Sequence, residues 1–107
     1  MNCNSNHAGI LCDCKDVPVK IIPNQQGEQV HVEDGYLVGN TCLEFDYIRK
    51  HFTGDVAVGD TVVIKNVGAY SLSSSRQFIV PRLATYDVEG NVLMEGEKYD
   101  DMFRKYK

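Results

Sequence analysis

The run Thr61-Val62-Val63-Ile64-Lys65 constrains this chain most, because three β-branched apolar residues follow a β-branched threonine and the Gly59-Asp60 pair before them reads as a turn. Such a run favours a strand and disfavours a helix. Val17-Pro18-Val19-Lys20-Ile21-Ile22 gives a second strand, closed by Pro23-Asn24, and Pro18 near its start suits an edge or first-strand position. Gln29-Val30-His31-Val32-Glu33 alternates apolar and polar with the period of a half-buried strand. Asp34-Gly35 then predicts a hairpin turn into Tyr36-Leu37-Val38-Gly39. Further on, Phe78-Ile79-Val80 and Leu83 to Val88 keep the β character, and Glu89-Gly90-Asn91 connects to Val92-Leu93-Met94 as a second hairpin.

Two segments read as helix. Asp46 is a capping candidate for a short helix through Tyr47 to Phe52, in which Ile48 and Phe52 stand four apart, Arg49, Lys50 and His51 sit late, and Gly54 ends the element. In the tail, Tyr99, Met102, Phe103 and Tyr106 fall at i, i+3, i+4 and i+7, with Glu97, Asp100 and Asp101 early and Arg104, Lys105 and Lys107 late. That stripe makes Met102 and Phe103 candidates for the core. Ser71 to Ser75 has a linker-like composition, yet Tyr70 and Phe78 bracket it too closely for a boundary between domains. The expectation is a single mainly β domain over residues 1–107, a small barrel or sandwich of about six or seven strands with a short helix after Asp46 and another at the carboxyl end.

Length and charge narrow the function classes. With 107 residues the chain has room for one core, and α/β barrels and dinucleotide-binding folds need about twice that. Chemistry on such a chain is therefore expected to be shared with another domain or subunit. A formal net charge of −4 argues against nucleic acid or an anionic membrane as partner. The amino end, Met1 to Asn6, lacks the charged start and apolar core of a secretory signal, so a cytoplasmic location is expected. Cys3, Cys12, Cys14 and Cys42 are accordingly read as reduced. Cys3, His7, Cys12 and Cys14 sketch a metal module, but Cys-x-Cys is tighter than a zinc knuckle and no second pair follows, so no metal is expected. Cys12 and Cys14 read instead as small apolar fillers on one side of a strand. His31 lies on the polar face of its strand and is read as a solvated surface residue.

Strand and turn chemistry leaves two segments over: Gly39-Asn40-Thr41-Cys42-Leu43-Glu44-Phe45-Asp46, and Gly59-Asp60 followed by Val67-Gly68-Ala69-Tyr70-Ser71. Together with Pro81-Arg82-Leu83-Ala84 and the Glu97 to Phe103 segment, they resemble the carboxy-terminal β-domain of the fold-type III pyridoxal-phosphate-dependent decarboxylases, the group that contains diaminopimelate and ornithine decarboxylases. The resemblance covers residues 36 to 103. It implies a cytoplasmic dimeric lyase of amino-acid metabolism. In that family an α/β barrel, absent from this chain, holds pyridoxal phosphate as a lysine Schiff base, and the β-domain packs on the barrel and on a partner subunit.

On this resemblance Cys42 is the catalytic candidate, a thiol that reaches the partner subunit's site and donates a proton, which thiols can do near neutrality. Tyr70 is the cofactor-binding candidate, its phenol on the cofactor phosphate. Glu44 and Asp46 are the substrate-binding candidates. An acidic residue directly after the cysteine holds the substrate's distal amine in the ornithine and diaminopimelate enzymes, whereas here Leu43 follows and Glu44 stands one step further. The implied substrate is therefore another amino-acid-like carboxylate. Lys15, Lys20 and Lys65 lack a Schiff-base motif and no glycine-rich loop opens a helix, so the isolated chain is expected to be inert. The alternatives are a freestanding non-catalytic small β-barrel that binds a protein or small ligand, and the amino-terminal metal module.

Overall fold

The computed structural model describes residues 5, 17–69, 71–75 and 77–106. Strands dominate it, in the order β1 (Val19–Ile22), β2 (Val30–Val38), β3 (Tyr47–Val56), β4 (Thr61–Ile64), a one-turn helix α1 (Ser71–Ser74), β5 (Thr85–Tyr86), β6 (Val92–Met94) and α2 (Tyr99–Phe103), which runs into a 3-10 turn over Arg104–Tyr106. The fold is mainly β, with short helices and small sheets. The strands pair antiparallel in three two-stranded sheets, β1 with β4, β2 with β3 and β5 with β6, and among the described residues they form no closed barrel.

The β-branched run at Thr61 pairs with the first strand, Val19 opposite Ile64 and Ile22 opposite Thr61, and Lys65 N–H extends the ladder to the Pro18 carbonyl at 2.9 Å. Pro18 thus contributes its acceptor just before β1, where its missing N–H costs nothing. The turn that feeds β4 is fixed by Asp60, whose carboxylate accepts from Ala57 N–H at 2.8 Å and from Asn24 N–H at 2.9 Å. Gly59 supplies the left-handed residue there, at φ +96°.

The long β2–β3 hairpin departs from two expectations. Asp34-Gly35 does not reverse the chain; β2 runs through it. The register passes from Val32↔Gly54 to Gly35↔Phe52, so one extra residue sits in β2, and from Gly35↔Phe52 to Leu37↔Arg49, so the next extra residue sits in β3. Each strand carries a left-handed residue near its bulge, Asp34 at φ +52° and His51 at φ +58°. The two bond side chain to side chain, Nδ1 of His51 to Oδ1 of Asp34 at 2.6 Å, and His51 also stands beside Tyr36. Asp-Gly favours left-handed backbone in a bulge as readily as in a turn, and the local signal does not distinguish them.

The second departure is the segment after Asp46, which is the strand β3 rather than a helix. Ile48 and Phe52 are buried, with Lys50, Gly54 and Val56 half-buried between and beyond them, while His51, Thr53 and Asp55 are exposed. A spacing of four fits both a helical face and two strand repeats, and here the β-branched and aromatic content decides. Gly54 is not a terminator. It lies under the Phe52 ring, where a Cβ would come within 3.0 Å of that ring's edge.

Val17, Ile48 and Phe52 are the buried hydrophobic residues among those described. Arg49 helps join the first two sheets, donating from Nη1 to the Val17 carbonyl at 3.0 Å. Surface ion pairs add little: His31–Asp55, 2.7 Å, spans directly opposed residues of β2 and β3 that are both more than half exposed.

The carboxy-terminal half corrects three more expectations. Ser71 to Ser74 forms the helix α1. Phe78-Ile79-Val80 is no strand; Val80 N–H bonds the Phe78 carbonyl at 2.7 Å across Ile79, whose φ is +66°. The tail stripe does not enter the core, since Tyr99, Phe103 and Tyr106 are exposed and only Met102 is half-buried. Glu97 lies before α2 and bonds Arg82 N–H at 3.0 Å, with Glu97 N–H returning to the Arg82 carbonyl at 3.0 Å. The predicted hairpin at Glu89-Gly90-Asn91 is present. Asp87 organises it, accepting from Glu89 N–H at 2.9 Å and Asn91 N–H at 2.8 Å, with Gly90 at φ +91°.

Core placement gives a direct test. Ile48→Ala, at 1% exposure, is expected to cost about 2–5 kcal/mol in urea unfolding, while Phe103→Ala, at 51%, stays within about 0.5 kcal/mol. Equal losses would show the tail stripe packed in the core after all.

Candidate functional site

The segment Gly39 to Asp46 is the loop of the β2–β3 hairpin, and Gly39 N–H closes it on the Asp46 carbonyl at 2.8 Å. Within it Asp46 N–H bonds the Leu43 carbonyl at 3.1 Å. The Asp46 side chain is turned inward, with 4% exposure. Its Oδ2 accepts from Thr41 N–H at 3.1 Å and from the Thr41 hydroxyl at 2.5 Å, and its Oδ1 accepts from Ser5 N–H at 2.8 Å. Thr41 Oγ1 in turn faces Leu43 N–H at 3.4 Å. A carboxylate so occupied is a scaffold for its loop.

Gly39 belongs to the same arrangement. A Cβ there would overlap the Asp46 carboxylate, so the first glycine and the last aspartate of the segment are held together by close approach rather than by backbone conformation. Between them the chain presents alternating burial, with Cys42 and Glu44 exposed and Leu43 half-buried. The loop therefore displays a thiol and a carboxylate to solvent from an anchored base.

Burial is the largest single influence on Asp46 and acts to raise its pKa. The hydrogen bonds from Ser5 and Thr41 favour the charged form and together outweigh it, leaving the carboxyl below the ordinary aspartate range.

Of the residues singled out in the sequence, the structure brings Cys42, Glu44 and Asp46 into one loop, with only the first two facing outward. Asp46 caps no helix, and its carboxylate, a substrate-binding candidate in the sequence, is buried and taken up by Thr41 and Ser5. Tyr70 lies outside the described residues, as do Cys3, His7, Cys12 and Cys14. Its neighbours Gly68 and Ser71 line an open groove of about 420 Å³, whose other wall is Leu83, Ala84, Thr85 and Met94. Cys42 and Glu44 do not line it. The Ser71 hydroxyl is turned back onto the Val67 carbonyl.

Sequence reasoning missed Thr41 and Gly39 as parts of the anchor. The available signal was Thr41 placed five residues before an aspartate that precedes a β-rich run. Among the described residues no three of His, Cys, Asp and Glu gather closely enough to hold a metal, and no helix is long and apolar enough to cross a membrane. No family model, curated protein or solved structure matches the chain.

The anchor predicts a pH signature. Because the folded-state pKa of Asp46 is depressed, its stabilising contribution is complete above the unfolded value, near pH 4, and is lost as pH falls through the lower folded value. Asp46→Asn, which leaves a donor of Thr41 facing an amide, is expected to cost about 1–3 kcal/mol at neutral pH. Urea midpoints measured across the acid range should fall less steeply for the variant than for the parent. Parallel curves would remove Asp46 from the anchor.

Proposed function

We propose that this chain is the carboxy-terminal β-domain of a fold-type III pyridoxal-phosphate-dependent amino-acid decarboxylase, working in the cytoplasm as part of a dimer. The observation that carries this reading is the exposed Cys42 thiol at the crest of a loop whose two ends are tied by Asp46 and Gly39. A group that donates a proton in a neighbouring subunit's site has to project from its own domain and hold its place, and an anchored loop meets both conditions.

When bound, pyridoxal phosphate supplies the electron sink that allows carbon dioxide to leave. The part fitted to that chemistry among the described residues is Cys42. Its thiol hydrogen goes to the carbon that loses the carboxyl group, and solvent restores the proton afterwards. The barrel would supply the Schiff-base lysine, and Tyr70, which lies outside the described residues, would be the residue to meet the cofactor phosphate. Glu44, exposed two residues after the thiol, is placed to meet a polar or cationic end of the substrate. Leu43, half-buried between them, leaves no acidic group in the place where the ornithine and diaminopimelate enzymes hold a distal amine. The substrate class is accordingly an amino-acid-like carboxylate other than those two.

The test uses the enzyme that joins this domain to its barrel. Cys42→Ala is expected to lower kcat about 10²–10⁴-fold with KM little changed. Mixing Cys42→Ala subunits with subunits that lack the Schiff-base lysine should restore activity, because each mixed dimer assembles one site with both groups. Mixtures that stay inactive while both subunits fold and dimerise would remove the shared site, and a gene with no barrel domain attached would remove the reading itself.

A further inference from the structure

The β5–β6 hairpin is patterned for burial and is left uncovered by the described residues. Val92, Leu93 and Met94, the whole of β6, are exposed at 55%, 67% and 36%. Successive strand residues point to opposite faces, so both faces of β6 are apolar, a pattern characteristic of strands buried on both sides. Tyr86 in β5 and Val88 in the turn are exposed as well. β6 has one neighbour in its sheet, so its outer edge carries no ladder among the described residues. A two-stranded hairpin of two and three residues is marginal by itself, and edges of this kind are ordinarily covered or charged along their length.

Charge selects the occupant. From Asp87 to Glu97 the hairpin holds Asp87, Glu89, Glu95 and Glu97 and no lysine or arginine. Asp87 is used by the turn and Glu97 by Arg82 N–H, while Glu89 and Glu95 flank β6 at either end, both exposed. A second copy laid edge to edge on β6 would bring two such acidic hairpins together without a cation between them. The amino-terminal residues 1–16 are no better matched, with Lys15 set against Asp13 and Asp16.

We infer that the outer edge of β6 receives an extended strand from a different polypeptide, one with apolar residues at its centre and lysine or arginine at its ends. Main-chain hydrogen bonds would supply the pairing, and the flanking cations would meet Glu89 and Glu95. This surface is independent of the Cys42 loop and does not rest on the decarboxylase reading.

The probe is a synthetic capped peptide with valines at its centre and lysines at both ends, compared with a counterpart in which glutamate replaces lysine. Titrated into the 107-residue chain and followed by amide shifts, the lysine peptide is expected to perturb residues 85–95 and to bind at least about tenfold more tightly than its counterpart, with the difference shrinking in high salt. Leu93→Lys, at an exposed position, and the charge reversal Glu95→Lys should each weaken it, with the shifts of β2 and β3 showing the fold unchanged. Equal binding of the two peptides, perturbation elsewhere on the chain, hairpin amides already protected in the free protein, or sedimentation showing self-association through this hairpin would each overturn the inference.

Discussion

A carboxylate taken out of water has to be met by donors, and at Asp46 they come from Thr41 in its own loop and from Ser5, far away in the chain. The Thr41 N–H and hydroxyl and the Ser5 N–H bond its oxygens, and Gly39 lets the backbone lie against them. With that group in place the β2–β3 hairpin closes at residues 39–46, eight residues long, rather than at Asp34-Gly35. The position of closure then fixes which residues of β2 and β3 face each other, and so which of them are buried. Ile48 and Phe52 reach the core because the loop ends where it does.

The bulges follow from the same constraint. A ladder that begins at Val38↔Tyr47 and ends at Val30↔Val56 joins nine residues of β2 to ten of β3, so the register cannot be uniform. The extra residues near Asp34 in β2 and near His51 in β3 cancel, so the net extra residue of β3 falls between Leu37↔Arg49 and Val38↔Tyr47, while Asp34 and His51 take left-handed backbone and bond each other across the strands. Aspartate tolerates that conformation better than histidine does, since its short side chain bonds locally. The exposed His51–Asp34 contact is a weak ion pair by ordinary reckoning, but its location ties the two irregular points together.

The strand at Thr61, the first strand at Val19 and the turn at Glu89-Gly90-Asn91 were legible in the sequence because each is decided locally, by β-branched side chains or by a glycine that accepts left-handed backbone. The helix expected after Asp46 was not, because residues four apart fall on one face in both periodicities. Asp34-Gly35 misled for a related reason: its backbone preference is real, and only pairing with a distant strand decides between turn and bulge. The tail stripe was a true helical pattern, and α2 forms at Tyr99, but a pattern records a capacity for burial and not what does the burying. For the candidate site, the sequence set residues 39–46 apart from the strands around them, and they form the β2–β3 loop with Cys42 exposed, while the inward turn of Asp46 depended on a contact with Ser5, forty-one residues away.

The acidic composition acquires a structural meaning from these details. Asp46 holds the 39–46 loop, Asp60 ties the Ala57 turn to Asn24, Asp87 closes the β5–β6 turn, and Glu97 clasps Arg82. Each uses a carboxylate to collect backbone N–H groups that a short loop would otherwise leave to water, a charge-assisted bond roughly twice as strong as a neutral one. The hydrogen bonds leave Asp46, Asp87 and Glu97 all with lowered pKa values; for Asp46 burial opposes them and is the largest single influence, while for Asp87 and Glu97 the leading causes are the contacts with Asn91 and Gln77. In a chain whose described buried hydrophobic residues are Val17, Ile48 and Phe52, these contacts carry much of the local definition that packing supplies elsewhere. The excess of negative charge thus reflects, in good part, how the loops are built. Glu28, Glu33, Glu44, Glu89 and Glu95 are exposed and take no part in this loop chemistry, so among the described residues they are carboxylates free to meet something outside the chain.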